Sequence, residues 1–166
     1  MSQNHIHRIG PVLPKTYPAK LTGGVKANSI LAGNLVALEL VSGVAALVPA
    51  AAWVWTTDEQ TTDRAFAAAF SGVANAPSNA AKPIFVRDIN VLVAQDGEYE
   101  VSVAAAAYPI GTLLKPTKAA GNALTDILSA TTDALSAIFV VSEAAPAGST
   151  RVRAYILKTM PKRLSA

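Results

Sequence analysis

The chain has 166 residues, 51% of them hydrophobic and 15% charged, with no cysteine, two histidines and a net charge of +3. The length suits one domain, and a fold of this size buries roughly 70% of the surface its unfolded chain exposes, so no covalent staples are needed. The lack of cysteine excludes a disulfide framework, a cysteine zinc site and a thiol nucleophile.

In chain order, residues 1 to 10 hold His5, His7 and Arg8 without an apolar stretch of signal-peptide length, so no secretory signal is expected. Residues 8 to 26 hold Pro11, Pro14 and Pro18 among Arg8, Lys15, Tyr17, Lys20 and Lys26. Proline removes backbone donors and favours extended conformation, so residues 1–26 are expected to form an extended arm that projects or lies along a neighbour. The apolar runs Leu35 to Val41 and Val44 to Val48, separated by Ser42-Gly43, predict a tight hairpin. The charge-free run from Leu40 to Thr57 spans 18 residues but is interrupted by Ser42, Gly43 and Pro49, so no membrane span is expected.

Trp53 and Trp55 stand at period two, as anchors of an interface or as bulk for a core rich in small residues. Asp58, Glu59 and Asp63 match no calcium-loop spacing and read as a solvated acidic loop. In Arg64 to Phe70 (RAFAAAF) the alanines favour helix, but Phe66, Ala68 and Phe70 share a face at period two and the surrounding pattern is strand; a strand is expected. Ile89, Val91 and Val93 alternate into Gln95-Asp96-Gly97-Glu98, and Tyr99, Val101 and Val103 alternate out, which predicts a hairpin turning on Asp-Gly. Residues 126 to 137 read as a short helix or a Thr-rich loop. Thr150 to Leu157 sets Val152, Ala154 and Ile156 against Arg151, Arg153 and Tyr155, a strand with its arginines on a solvent or partner face. Residues 158–166 form a basic tail with Lys162 and Arg163. The chain is therefore expected to be all-β, with a single β-rich domain over residues 27–157.

A weak internal repeat links these pieces. Gly33-Asn34-Leu35-Val36 and Gly111-Thr112-Leu113-Leu114 lie 78 residues apart, as do Gly43 and Gly121, whereas Val73 and Val141 are separated by 68. The shortfall places an insertion of about ten residues in the first copy, around Pro49 to Arg64. Charge is also segregated: residues 1–38 carry +4, residues 39–143 carry all 11 acids and a net −6, and the remainder carries +5. Basic ends around an acidic middle suit like molecules packing side by side or arms on an acidic surface, or are solvated termini. The bases are not interleaved with aromatics, so nucleic acid is not an expected partner.

Chemistry is sparse. With His5 and His7 alone, a catalytic base would sit on a flexible end, and His-x-His lacks a third metal ligand. No phosphate-cradling glycine loop occurs, so no catalytic residue, metal or cofactor is expected and the chain reads as a non-enzyme.

Alanine contributes 33 residues against 10 aromatics, so burial is expected to finish against partners. The succession Ala32-Gly33-Asn34-Leu35-Val36, Phe70-Ser71-Gly72-Val73-Ala74, Tyr108-Pro109-Ile110-Gly111-Thr112-Leu113-Leu114 and Val140 to Ala154 resembles the small capsid decoration, or cement, proteins of tailed bacteriophages, over roughly residues 24 to 157. The resemblance implies a small β-barrel or sandwich-like domain that forms homotrimers on the outer capsid surface of the virion, after synthesis in the host cytoplasm. It implies the major capsid protein as partner, no membrane, and a stabilising role. A virion-surface receptor- or glycan-binding module using Trp53 and Trp55 is the alternative.

Overall fold

In the computed structural model, residues 5–9, 14–18, 30, 33–41, 44–55, 58–74, 90–94 and 97–157 are described. Along them run β1 (His5–Ile9), β2 (Pro14–Pro18), β3 (Leu35–Val41), β4 (Val44–Pro49), a 3-10 turn (Ala50–Ala52), α1 (Glu59–Ala69), β5 (Phe70–Ala74) and β6 (Asn90–Ala94). Then come β7 (Glu98–Tyr108), β8 (Leu113–Lys118), β9 (Leu124–Thr131), β10 (Phe139–Val141) and β11 (Ala145–Ile156).

The strands divide into two units of identical connectivity. The first sheet has the order β2-β6-β5-β3-β4, and the second β7-β11-β10-β8-β9, so each strand of the second unit takes the place of the strand five earlier in the chain. A parallel bridge from Val103 of β7 to Leu128 of β9 closes the second sheet into a five-stranded barrel. In the first, the end strands β2 and β4 approach each other. The duplication extends to single hydrogen bonds. The Gly33 N–H donates to the Ala74 carbonyl at 2.7 Å and the Ala74 N–H to that of Asn34 at 2.9 Å; Gly111 donates to Val141 at 2.9 Å and Val141 to Thr112 at 2.9 Å. Both glycines have positive φ, 86° and 83°, which makes each strand start a glycine position. Ala74 thus matches Val141, one residue from the Val73–Val141 correspondence of the sequence repeat. The insertion is the 3-10 turn and α1, which stand where the second unit has the short connection of residues 132–138.

Two expectations are corrected. The Asp96-Gly97 link does not join a paired hairpin: β6 pairs with β2 and β5, whereas β7 pairs with β11, β1 and β9. Alternation on both sides of a turn specifies two strands but not their partners, and here the turn joins the last strand of one unit to the first of the next. Residues 64 to 69 are helical. Asp58 is the N-cap, its Oδ1 accepting from the Thr61 N–H at 2.7 Å, and Glu59 in the first turn suits the helix dipole. Phe66 and Phe70, four residues apart, satisfy one helical turn as well as they satisfy alternation, and burial of Thr62, Asp63, Phe66 and Ala67 with Ala68 exposed follows the helical period. Residues 126 to 137 begin as strand, and Asp133 then caps a turn by accepting from Leu135 N–H at 3.1 Å.

Other expectations hold. β3 and β4 form the tight hairpin, with Val41 paired to Val44 across positions 42–43, which themselves lie outside the described residues. β11 buries Val152, Ala154 and Ile156 and turns Arg153 and Tyr155 outward. The N-terminal segment expected as an extended arm over residues 1–26 supplies two strands of the sheets instead: β1 pairs with β7 at the edge of the second sheet, and β2, which begins at Pro14 and ends at Pro18, pairs with β6 at the end of the first, where a missing N–H is tolerated. A continuous core runs from Leu35, Ala37 and Val73 of the first unit through Phe66 and Ala67 of α1 to Tyr99, Leu114, Leu128, Phe139 and Val152 of the barrel. A second cluster, Ile30, Val36, Leu47 and Ala74, fills the first unit.

Helix and strand make opposite demands at Ala68. The exposed helical site predicts that Ala68→Gly costs about 1 kcal/mol by propensity, while Ala68→Glu stays within about 0.5 kcal/mol. Urea unfolding of the two variants checks this; a strand with Ala68 beside Phe66 in the core would instead make the glutamate the severe change.

Candidate functional site

Built chemistry concentrates where the insertion of the first unit lies on the second. Past the 3-10 turn, the extended segment 53–55 pairs with the start of β9: the Leu124 N–H donates to the Trp53 carbonyl at 2.8 Å, the Trp55 N–H to that of Asn122 at 3.0 Å, and Val54 bridges Ala123. This extended backbone turns both tryptophans to the protein side and leaves Val54 outside, 47% exposed. Trp53 meets Phe66 edge to face, with ring centroids 5.5 Å apart, and Trp55 lies beneath Lys118, whose Nζ is 4.6 Å from the ring centroid.

α1 then presents Glu59 and Asp63, one helical turn apart, to Lys115 of β8. The Lys115 Nζ donates to Asp63 Oδ2 at 2.6 Å and to Glu59 Oε1 at 3.0 Å, and Trp55 Nε1–H donates to Asp63 Oδ1 at 3.2 Å. Asp63 is fully buried. Burial pushes its carboxyl above the ordinary carboxylate range, against the pull of Lys115 and Trp55. Burial would lower the Lys115 ammonium, but its hydrogen bonds to Asp63 and Glu59 outweigh that and hold it above the usual lysine value. An amine kept protonated between two carboxylates is neither nucleophile nor base, so the group acts as an ionic clamp.

Two further clamps reinforce it. Arg64 grips Asp133 with two donors, Nε to Oδ2 at 2.8 Å and Nη2 to Oδ1 at 3.2 Å, which joins α1 to the connection that stands in its place in the second unit. This guanidinium and the Leu135 N–H hold Asp133 below the usual carboxylate range, as the Thr61 N–H and hydroxyl do for Asp58. Asp126 of β9 accepts from Asn34 Nδ2 at 2.6 Å and from the Leu35 N–H at 2.8 Å, tying the start of β3 to the barrel. An open groove of about 910 Å³ runs beside Lys115 and Glu59, lined with Thr112, Ser129, Thr131 and Thr132.

The residues expected to form an interface fall in three places. Arg8 lies on β1 and Pro14, Lys15 and Tyr17 on β2, at the sheet margins; Pro11, Lys20, Lys26, Lys162 and Arg163 lie outside the described residues. Trp53 and Trp55 are half-buried at the junction of the units. Arg151 and Arg153 are on the outer face of β11, paired to Glu100 at 3.3 Å and Glu143 at 2.9 Å. β1 and β11 flank the same strand, with Ile6 and Arg153 both opposite Glu100 of β7, whereas β2 belongs to the other sheet. Asp126, Lys115 and Asp133 escaped the sequence reading, since their partners lie 52 to 92 residues away; for Asp126 and Lys115 the available signal was a lone charge inside a strand-like run. Among the described residues no group of three or more His, Asp or Glu could hold a metal, and no helix is long and apolar enough to cross a membrane.

Removing one partner of a buried pair is costly. Lys115→Met should destabilise by about 3 kcal/mol by leaving Asp63 buried without its counterion, and Asp63→Leu combined with Lys115→Met should recover most of that loss. The pH dependence has a definite sign. Asp133 is depressed from its ordinary 3.8, so its contribution is full above that value and fades as pH falls through the folded pKa; Lys115 is raised from 10.5, so its contribution is full below that value and fades as pH rises past it. Thermal unfolding followed by circular dichroism should therefore show the gap between wild type and Asp133→Asn closing in acid, and that for Lys115→Met narrowing in strong alkali and also in acid, where protonation of Asp63 removes the buried charge that Lys115 compensates. The chain matches no protein-family model, no curated protein and no solved structure.

Proposed function

We propose that this chain is a structural decoration protein of a tailed-phage head, bound to the outside of the shell and strengthening contacts between major capsid protein subunits. The observation that carries the reading is the disposition of charge. Asp63, Glu100, Asp126, Asp133 and Glu143 are engaged inside the chain by ion pairs or hydrogen bonds, whereas β1 and β2, which bring Arg8 and Lys15, are marginal strands. In this reading the basic ends of the chain, +4 over residues 1–38 and +5 beyond residue 143, meet acidic patches on a shell. Many weak contacts repeated over a lattice raise effective concentration, so no single contact needs to be strong. In this reading the protein needs no cofactor and catalyses nothing; it acts on the virion surface as a self-associated body, trimers being what the resemblance implies. The glycan-platform alternative has less support, because Trp53 packs on Phe66 and Trp55 lies under Lys118.

The test is co-sedimentation with shells assembled from a major capsid protein of the same phage. Saturable binding is expected, as is release of DNA at lower temperature from heads lacking the protein. Arg8→Glu with Lys15→Glu should weaken binding about tenfold, roughly 1.4 kcal/mol, and flatten its salt dependence. A chain that stays in the supernatant at all salt concentrations would sink the reading.

A further inference from the structure

We infer that residues 5–18, the arm formed by β1 and β2, are an exchangeable strap, and that two copies of this chain pair by seating their arms on each other's β6 and β7. What the acceptor takes is visible, because the chain's own arm lies on it. The two ladders follow one another along a single antiparallel track: His5 faces Val101, Ile9 faces Glu98, Pro14 faces Ala94 and Pro18 faces Asn90. The arm thus passes from the second unit to the first beside the link from β6 to β7, where the body makes the same crossing in reverse.

The ladder that holds the arm is thin. β1 has no counterpart in the five-strand plan that the two units share, and the second barrel closes without it, through β7 and β9. β2 begins and ends in proline, so only three of its five residues bring an N–H. The register of β1 shifts between His7 and Ile9. β1 pairs with β7 and β2 with β6, and among the described residues neither has a second ladder.

Charge and reach identify the occupant. Residues 5–18 carry Arg8 and Lys15 and no acid, whereas residues 90–101 carry Asp96, Glu98 and Glu100 and no base. The acceptor attracts this segment from whichever copy it comes. Eleven residues separate Pro18 from Ile30, which is buried in the first unit beside Val36, Leu47 and Ala74. A tether of that length spans up to about 40 Å, about the diameter of a body of this size, so an anchored arm reaches the acceptor of a neighbour. A strap that leaves its own body and enters a second recovers the same backbone hydrogen bonds, and reciprocal exchange about a two-fold leaves no acceptor empty. The tethered arm has an effective concentration on the order of millimolar. Dilute protein is therefore closed on itself, and concentrated protein exchanges. This inference concerns the free protein and does not depend on the capsid reading.

The experiment uses the full chain without capsids. The sequence has no cysteine, so introduced thiols are the only ones present. Ile6 and Glu100 are directly opposite across the ladder, at a Cα spacing that a disulfide accepts. One chain carrying both Ile6→Cys and Glu100→Cys should close an internal disulfide at low micromolar concentration. The two single variants, mixed at several hundred micromolar and oxidised, should give disulfide-linked dimers at least about tenfold above a control pair. The control is Ile6→Cys mixed with Ala120→Cys, a position in the exposed turn between β8 and β9. Wild type, incubated over the same range and followed by sedimentation velocity, should pass from one copy toward two. The inference is overturned if the double variant does not close internally, if the mixed single variants cross-link no more than the control, or if wild type stays single throughout. The last outcome decides against it even where a cysteine variant fails to fold.

Discussion

β3 has no face left for water at its start, and the rest of the molecule is arranged around that constraint. Leu35 and Ala37 enter the core that runs on into the second barrel, while Val36 turns the other way, to Ile30, Leu47 and Ala74. A strand buried on both sides cannot alternate apolar with polar residues, which is why LVALELV reads as a nearly continuous hydrophobic run. Register cannot then be enforced by a wet face, since a slip of one residue would exchange one apolar set for another. Asp126 supplies the missing information by accepting from Asn34 and Leu35 at the first turn of the strand. Hydrophobic burial holds the units together, and a carboxylate sets where they meet.

The abundance of alanine has its explanation in the same place. Ala37, Ala50, Ala67, Ala74, Ala137 and Ala154 are all within 1% of complete burial, so small side chains are used where backbone layers approach closely. Volume is restored by a few large residues in contact, with Phe66, Phe70, Phe139 and Tyr99 forming a chain of rings about 6 Å apart. Alanines that remain outside, as in Ala104–Ala107, have no such bulk against them.

Legibility in the sequence followed the range of the interactions. The β3–β4 hairpin, the β11 alternation and the duplication were readable because each is encoded within a few residues or in a repeated local signal, the glycine two residues before a strand. The Asp-Gly turn misled because pairing is a non-local property: a turn can join two strands of one sheet or pass the chain between sheets. The helix was missed because phenylalanines four apart fit both periods, although Asp58 three residues before Thr61 was a capping signal in plain view. The clamps were out of reach. Lys115 with Asp63 and Arg64 with Asp133 bring together residues from different units, and no local pattern encodes that meeting.

The insertion makes the two units unlike where they meet. Two units of the same connectivity, joined through unlike faces, would ordinarily leave a matching face free at each end for a further unit. Here the joining element, α1, exists only in the first copy, and it lies over β8 through Lys115. The equivalent position of the second copy is a short connection that carries no helix and is itself held by Arg64 through Asp133. The buried ion pairs add little net stability once desolvation is counted, but they make this one docking geometry far better than alternatives that strand a charge. The two units therefore meet in one geometry, set by an element that only the first of them carries.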